Sequence, residues 1–152
     1  KVYYAYEMRD GYIDLPVGEA IEIEPERDLE QCAVLAARWY GRDTGWCLNT
    51  LKGWHARGVI THLGVWVDGV LCAACLAAPN VLRPSTAANY YIYTPDETCL
   101  KAMLVKVVHS CIQSGRENVI ADLVNEHRRY EPVYKELGFK RVAEWARCEM
   151  FL

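Results

Sequence analysis

Two stretches of this 152-residue chain place side chains at spacings that chemistry uses. Cys72-Ala73-Ala74-Cys75 has the spacing of half a zinc site, and redox pairs share it. A zinc site needs a second pair or two histidines at matching distance, and the sequence supplies neither. The surrounding run, Val70 to Ala77, reads as a strand, where side chains three apart point to opposite faces. The pair therefore predicts packed thiols. The second stretch is Thr94-Pro95-Asp96-Glu97-Thr98-Cys99-Leu100-Lys101, between a strand and a helix. If the helix opens at Pro95, Thr94 and Glu97 form a capping box that consumes amide donors and sets acid where an anion would sit. If it opens at Thr98, amides near Leu100 to Ala102 stay available and Lys101 adds one cation. The sequence leaves both starts open.

Charge and composition narrow the class. Seventeen basic residues against 20 acidic, with no basic cluster longer than Arg128-Arg129, give no electrostatic footprint for nucleic acid. The longest apolar stretch, Val70 to Pro79, falls short of the ~20 residues a membrane helix requires, and no basic-then-apolar leader opens the chain. No membrane partner is expected. Seven cysteines, five of them (Cys32, Cys72, Cys75, Cys99, Cys111) inside apolar runs, suit a reducing cytoplasm. The length suits one compact domain.

The elements that must hold these residues follow from periodicity. Residues 1–18 are expected as an appendage: strands Val2–Met8 and Tyr12–Leu15 joined by an Asp10-Gly11 turn, similar to the last strand of a preceding domain. The main domain then runs over 19–152. A half-buried strand covers Glu19 to Glu24, and a helix capped by Asp28 places Leu29, Cys32, Ala33, Ala36, Trp39 and Tyr40 on one face until Gly41 ends it. A short second helix falls within 41–58. His62–Val67 and Val70–Ala77 flank Asp68-Gly69 as a two-residue hairpin. Asn89–Tyr93 is an aromatic strand, and Leu100, Met103, Leu104, Val107, Val108, Cys111 and Ile112 mark the strongest helix. A strand over Asn118–Val124, a short helix over Pro132–Leu137 and a final strand over Arg141–Leu152 complete the order. Helices interleaved with strands around an antiparallel hairpin predict an α/β (α+β) fold: one central mixed sheet of about six to seven strands with helices on both faces.

This order, together with Tyr134-Lys135-Glu136-Leu137-Gly138-Phe139, resembles the GCN5-related N-acetyltransferase superfamily over roughly residues 19–152. The family commonly carries Tyr-x-x-x-Gly-Phe after its fifth strand, and Tyr134, Gly138 and Phe139 keep that register. The chain departs from the family at Thr94–Lys101, where the family's Gly-rich pyrophosphate loop is absent. The resemblance implies an acyltransferase that moves an acyl group from a thioester, acetyl-CoA or another acyl-CoA, to an amine of a small molecule or peptide. It implies backbone donors at the end of the Tyr91-Ile92-Tyr93 strand for the oxyanion. It assigns Tyr134 as proton donor to the leaving thiolate, and Ile92, Tyr93, Thr94, Lys101 and Asn125 as contacts of the donor substrate. Asn125 stands two residues further from Tyr134 than the family pattern has it.

The strand before the strongest helix has no carboxylate to act as base, so Asp122, Glu126 and His127 are the nearest candidates by order. Trp39, Trp46, Trp54 and Trp66 are either acceptor-pocket walls or core, and Trp54-His55-Ala56-Arg57-Gly58 is a candidate acceptor contact. Two other readings stand beside the leading one. One is the same fold adapted to an acyl-carrier protein or aminoacyl-tRNA donor, which the lack of basic patches disfavours for tRNA. The other is a domain of this fold that binds without catalysis, as part of a homodimer or beside an upstream tandem domain.

Overall fold

The computed structural model describes residues 2–8, 20–93 and 97–146. In chain order the elements are β1 (Val2–Met8), β2 (Ile21–Glu22), α1 (Pro25–Tyr40), α2 (Thr44–Arg57), β3 (Thr61–Val67), β4 (Val70–Pro79) and β5 (Ala87–Ile92). There follow α3 (Glu97–Gln113), β6 (Asn118–Val124), a 3-10 segment (Asn125–Tyr130), α4 (Glu131–Glu136) and β7 (Lys140–Ala146). All seven strands join one sheet in the order β2-β3-β4-β5-β6-β1-β7. Only β5 and β6 run parallel in it; every other neighbouring pair is antiparallel. The expected mixed sheet with helices on both faces is the one observed.

Strand β4 shows why the sheet needs two helical layers. Its apolar run is continuous, so both faces must be covered. Ala73, Cys75 and Ala77 belong to the cluster with Leu100, Met103, Leu104, Val107, Val108 and Cys111 of α3. Ala74, Leu76 and Ala78 belong to the opposite cluster, with Leu29, Cys32, Ala33 and Ala36 of α1 and Cys47 and Leu51 of α2. The six α3 side chains are at most 2% exposed, and each contributes roughly 1.5–3 kcal/mol by leaving water. Small residues on β4 let helices approach from both sides.

Turn chemistry follows the sequence closely. Asp68 and Gly69 take positive φ, 50° and 77°, as the two-residue hairpin demands. Gly41 closes α1 in the left-handed conformation, with its N–H on the Ala37 carbonyl. The start of α1 corrects the expected cap: the helix opens at Pro25, which fits the first turn because it needs no N–H there. Asp28 lies inside that turn and reaches back, its Oδ2 accepting the Glu24 N–H at 2.9 Å. The expected short second helix is 14 residues long, capped by Asp43 on the Trp46 N–H.

The N-terminal segment is the other correction. Expected as an appendage, β1 is instead an interior strand, paired with β6 from Tyr3↔Val124 to Met8↔Val119 and with β7 from Val2↔Ala146 to Glu7↔Lys140. The β6-to-β7 connection through the 3-10 segment and α4 leaves a one-strand gap, and β1 fills it. Its partner in the expected hairpin, Tyr12–Leu15, lies outside the described residues.

Candidate functional site

Strand β5 has two unlike edges. Tyr93 N–H donates to the Ala74 carbonyl at 3.1 Å, so the amides of 89, 91 and 93 face β4 and those of 88, 90 and 92 face β6. The parallel ladder with β6 runs from Ala87↔Asn118 to Tyr90↔Ala121 and stops. Both strands nevertheless continue, β5 to Ile92 and β6 to Val124. Beyond the last shared pair, β5 stays with β4 (Leu76↔Tyr91, Cys75↔Ile92) and β6 stays with β1 (Ala5↔Asp122, Tyr4↔Leu123, Tyr3↔Val124). The strands thus part after Tyr90 and Ala121, and the Ile92 amide, next along the β6-facing edge, is directed into the opening.

Aromatic side chains gather around that end of the strands. On the helix side, the Trp54 ring of α2 meets Tyr91 of β5 at 5.0 Å, and the Arg57 guanidinium lies 4.8 Å over the same indole. Trp39, on the last turn of α1, stacks on Tyr130 at 5.8 Å and touches both core clusters. Tyr130 ends the 3-10 segment that follows β6, and its hydroxyl accepts from Arg129 at 2.6 Å. Trp54 thus stands beside the end of β5, and Trp39 beside the segment that follows β6. Trp46 is 52% exposed, and Trp66 lines a separate groove of about 290 Å³ with Ile21, Arg27, Asp28 and Gln31.

The remaining candidates are distributed unevenly. Tyr134 lies on α4, fully buried in the α3-side cluster, its ring edge-on to Phe139 at 5.2 Å. Gly138 at φ 96° turns the chain so that Phe139 N–H donates to the Tyr134 carbonyl, which accounts structurally for the Tyr-x-x-x-Gly-Phe spacing. Lys101, on the second turn of α3, is ion-paired to Glu136 of α4. Asn125 opens the 3-10 segment where β6 ends, and Asp122 lies on β6 while Glu126 and His127 follow in that segment. Helix α3 is described from Glu97 onward; Thr94 lies outside the described residues. Cys75 is buried on the α3 side and Cys72 is half-buried, so the two do not share a face. Among the described residues no three His, Cys, Asp or Glu side chains converge as metal ligands, and no helix is long and apolar enough to cross a membrane.

The sequence reading passed over one cluster. His62 of β3 is 3% exposed, and its Nδ1 lies 2.8 Å from Nε2 of half-buried His55 on α2. Its Nε2 is hydrogen-bonded to the hydroxyl of Tyr93, which is itself buried. Burial, aided by His55, pushes the His62 imidazole down to about 3, and burial also lowers His55. Burial raises the Tyr93 phenol and takes the Cys32 thiol beside it to about 11, so all four groups are neutral at pH 7. The available signal was a histidine on the strand of a hairpin whose partner strand is apolar throughout.

Comparison with known proteins agrees with this geometry at the level of fold. No family model and no curated protein matches the sequence. In structure the chain is similar to an acetyltransferase of the GNAT family from Colwellia psychrerythraea, with a TM-score of 0.74 and 16% identity over 94% of this chain and 53% of that one. A GCN5-related N-acetyltransferase from Sphaerobacter thermophilus gives a TM-score of 0.73 at 12% identity, over 94% and 49%. A predicted acetyltransferase with acetyl-CoA from Clostridium acetobutylicum gives 0.67 at 14%, over 86% and 95%. The chain thus spans about half the length of the first two, and nearly all of the third. It has the GCN5-related N-acetyltransferase fold.

Proposed function

We propose that this chain is an acyltransferase that moves an acetyl group from acetyl-CoA to an amine, with the thioester carbonyl lodged where β5 leaves β6. The observation that carries this reading is the ladder that stops at Tyr90↔Ala121 while both strands run on. An amide at the end of an ordered strand is already aimed and needs no reorganisation when negative charge develops, which makes such donors worth about 3–4 kcal/mol. In the proposed step the acceptor nitrogen attacks the thioester carbon, and the Ile92 N–H holds the resulting oxyanion. Collapse breaks the carbon–sulfur bond, the thiolate takes a proton from Tyr134, the amine's surplus proton leaves to solvent, and Tyr134 regains a proton from solvent to close the cycle. Tyr134 can serve only if the sulfur descends between the strands to it, because its ring is fully buried.

The acceptor enters from the α1/α2 side, over Trp54 and Tyr91, with Arg57 beside them. Asn125 and the Tyr93 backbone flank the pantetheine end of the donor. Lys101 reaches a phosphate only by sharing its charge with Glu136, so the diphosphate is held weakly. That pairing and the burial of Tyr134 favour one second reading, a domain that binds the donor without transferring its acyl group.

One experiment separates the two. Ligand at ~100 times its dissociation constant adds ~2.7 kcal/mol, so acetyl-CoA raises the melting temperature by several degrees under either reading. Only an acyltransferase also releases free thiol from acetyl-CoA in the presence of a panel of primary amines, and Tyr134→Phe slows that release at least tenfold with little change in melting. No shift and no thiol release would defeat both readings.

A further inference from the structure

The polar side chains clustered on the α1/α2 face take no step in the acyl-transfer scheme, yet the cluster ends on the residue after Ile92. Tyr93 is held twice. Its backbone N–H donates to Ala74 on β4, and its side chain passes over β4 to reach His62 on β3. Ala74, fully buried on the same face, is small enough to let the ring cross. Both attachments draw the end of β5 toward β3, away from β6. Nothing in the backbone of β5 itself opposes one more parallel pair, in which the Ile92 amide would reach the Asp122 carbonyl and close the opening.

We propose that His62 is a positioning residue for acyl transfer, which through the Tyr93 hydroxyl holds the end of β5 off β6 and keeps the Ile92 amide facing the opening. This rests on the acyltransferase reading for its functional meaning, though the mechanical claim stands on the hydrogen bonds alone. The polarity of the cluster is self-consistent. A neutral phenol donates to Nε2 of His62, which fixes the His62 proton on Nδ1, and that proton is donated to Nε2 of His55. The Cys32 thiol of α1 lies beside the Tyr93 phenol. Asp28 and Tyr40 of α1 also lie near this cluster, and Cys75 of β4 lies beneath Tyr93 on the opposite face of the sheet. The tie remains uncharged and intact around neutral pH.

The test measures three quantities in the full chain and in Tyr93→Phe, His62→Leu and His62→Gln: melting temperature, kcat and KM for acetyl-CoA with the amine panel, and hydrogen exchange at the Ile92 amide by NMR. Tyr93→Phe and His62→Leu are expected to lower kcat at least tenfold with KM changed less than threefold, and to slow Ile92 exchange at least tenfold as the ladder extends. His62→Gln, which can still accept from the phenol, is expected to recover most of the kcat lost in His62→Leu. Unchanged kcat and unchanged Ile92 exchange in folded Tyr93→Phe would overturn the proposal. If Tyr93→Phe does not fold, equal losses in His62→Gln and His62→Leu would overturn it. A wild-type chain that neither binds nor turns over acetyl-CoA defeats the acyltransferase reading instead, and Ile92 exchange in the variants then decides the tie.

Discussion

On one face of the sheet, Leu100, Met103, Leu104, Val107 and Val108 of α3 press on Ala73, Cys75 and Ala77, apolar against apolar. On the other face the same strands lie under α1 and α2, and there His62, Tyr93 and Asp28 are buried among leucines and alanines. The buried His62 and Asp28 on that second face each have specific partners: His55 and Tyr93 for His62, Arg27 and the Glu24 amide for Asp28. Burying such groups costs free energy unless they are partnered, so that face depends on these specific pairings. The difference assigns the faces different work. The α3 face holds the fold together, and the α1/α2 face shapes the strand end at which acyl transfer is proposed.

The strongest way to break this comparison is Leu104→Ala. It removes a fully buried side chain from the apolar face and is expected to lower unfolding free energy by about 2–5 kcal/mol in denaturant titration, with kcat of the remaining folded chain unaffected. A matching loss of kcat would mean that the two faces are not separable.

A pH titration of stability sharpens the contrast. The folded-state pKa of His62, about 3, lies below its ordinary value of 6.5, so the unfolded chain takes up the proton first as pH falls. Stability from this group is complete above about 6.5 and is lost progressively toward 3. For wild type we expect a loss of about 2 kcal/mol between pH 7.5 and 5, largely absent in His62→Gln, while Leu104→Ala keeps the wild-type slope. His55, also lowered by burial, acts in the same direction. Identical slopes in wild type and His62→Gln would remove His62 as the source.

The smallest effect expected is that of Asp28→Ala, which leaves the Glu24 amide without its acceptor and should cost about 1–2 kcal/mol by thermal melting. Hydrogen bonding from Arg27 holds this carboxylate below its usual range, so its contribution is complete above the ordinary aspartate value and is lost as pH falls from there through the lowered folded-state value.

Much of the fold was legible because it is written in local periods. The α3 stripe, the Asp68-Gly69 turn, β6 over Asn118–Val124 and the glycines at 41 and 138 need only neighbours a few residues away, and all stand where spacing put them. The cap of α1 was misread because Asp28 and Pro25 are both valid helix-start signals, and only the backbone shows Asp28 serving from inside the first turn. Residues 2–8 carry a clear strand signal and no sign of where that strand goes. Their place between β6 and β7 depends on pairing with residues more than a hundred positions away.

The candidate site divides in the same way. Tyr134, Ile92 and Tyr93 could be named from a short signature and from strand order. The parting of β5 from β6, the pairing of Lys101 with Glu136 and the His55–His62–Tyr93 cluster could not. By itself the sequence determined which segments are strands and helices and which of their faces are apolar, since alternation and helical spacing are properties of the covalent chain. Only the tertiary structure decided which strand edges stay together and which buried polar groups meet, because hydrogen bonds between residues 31 apart are chosen by packing.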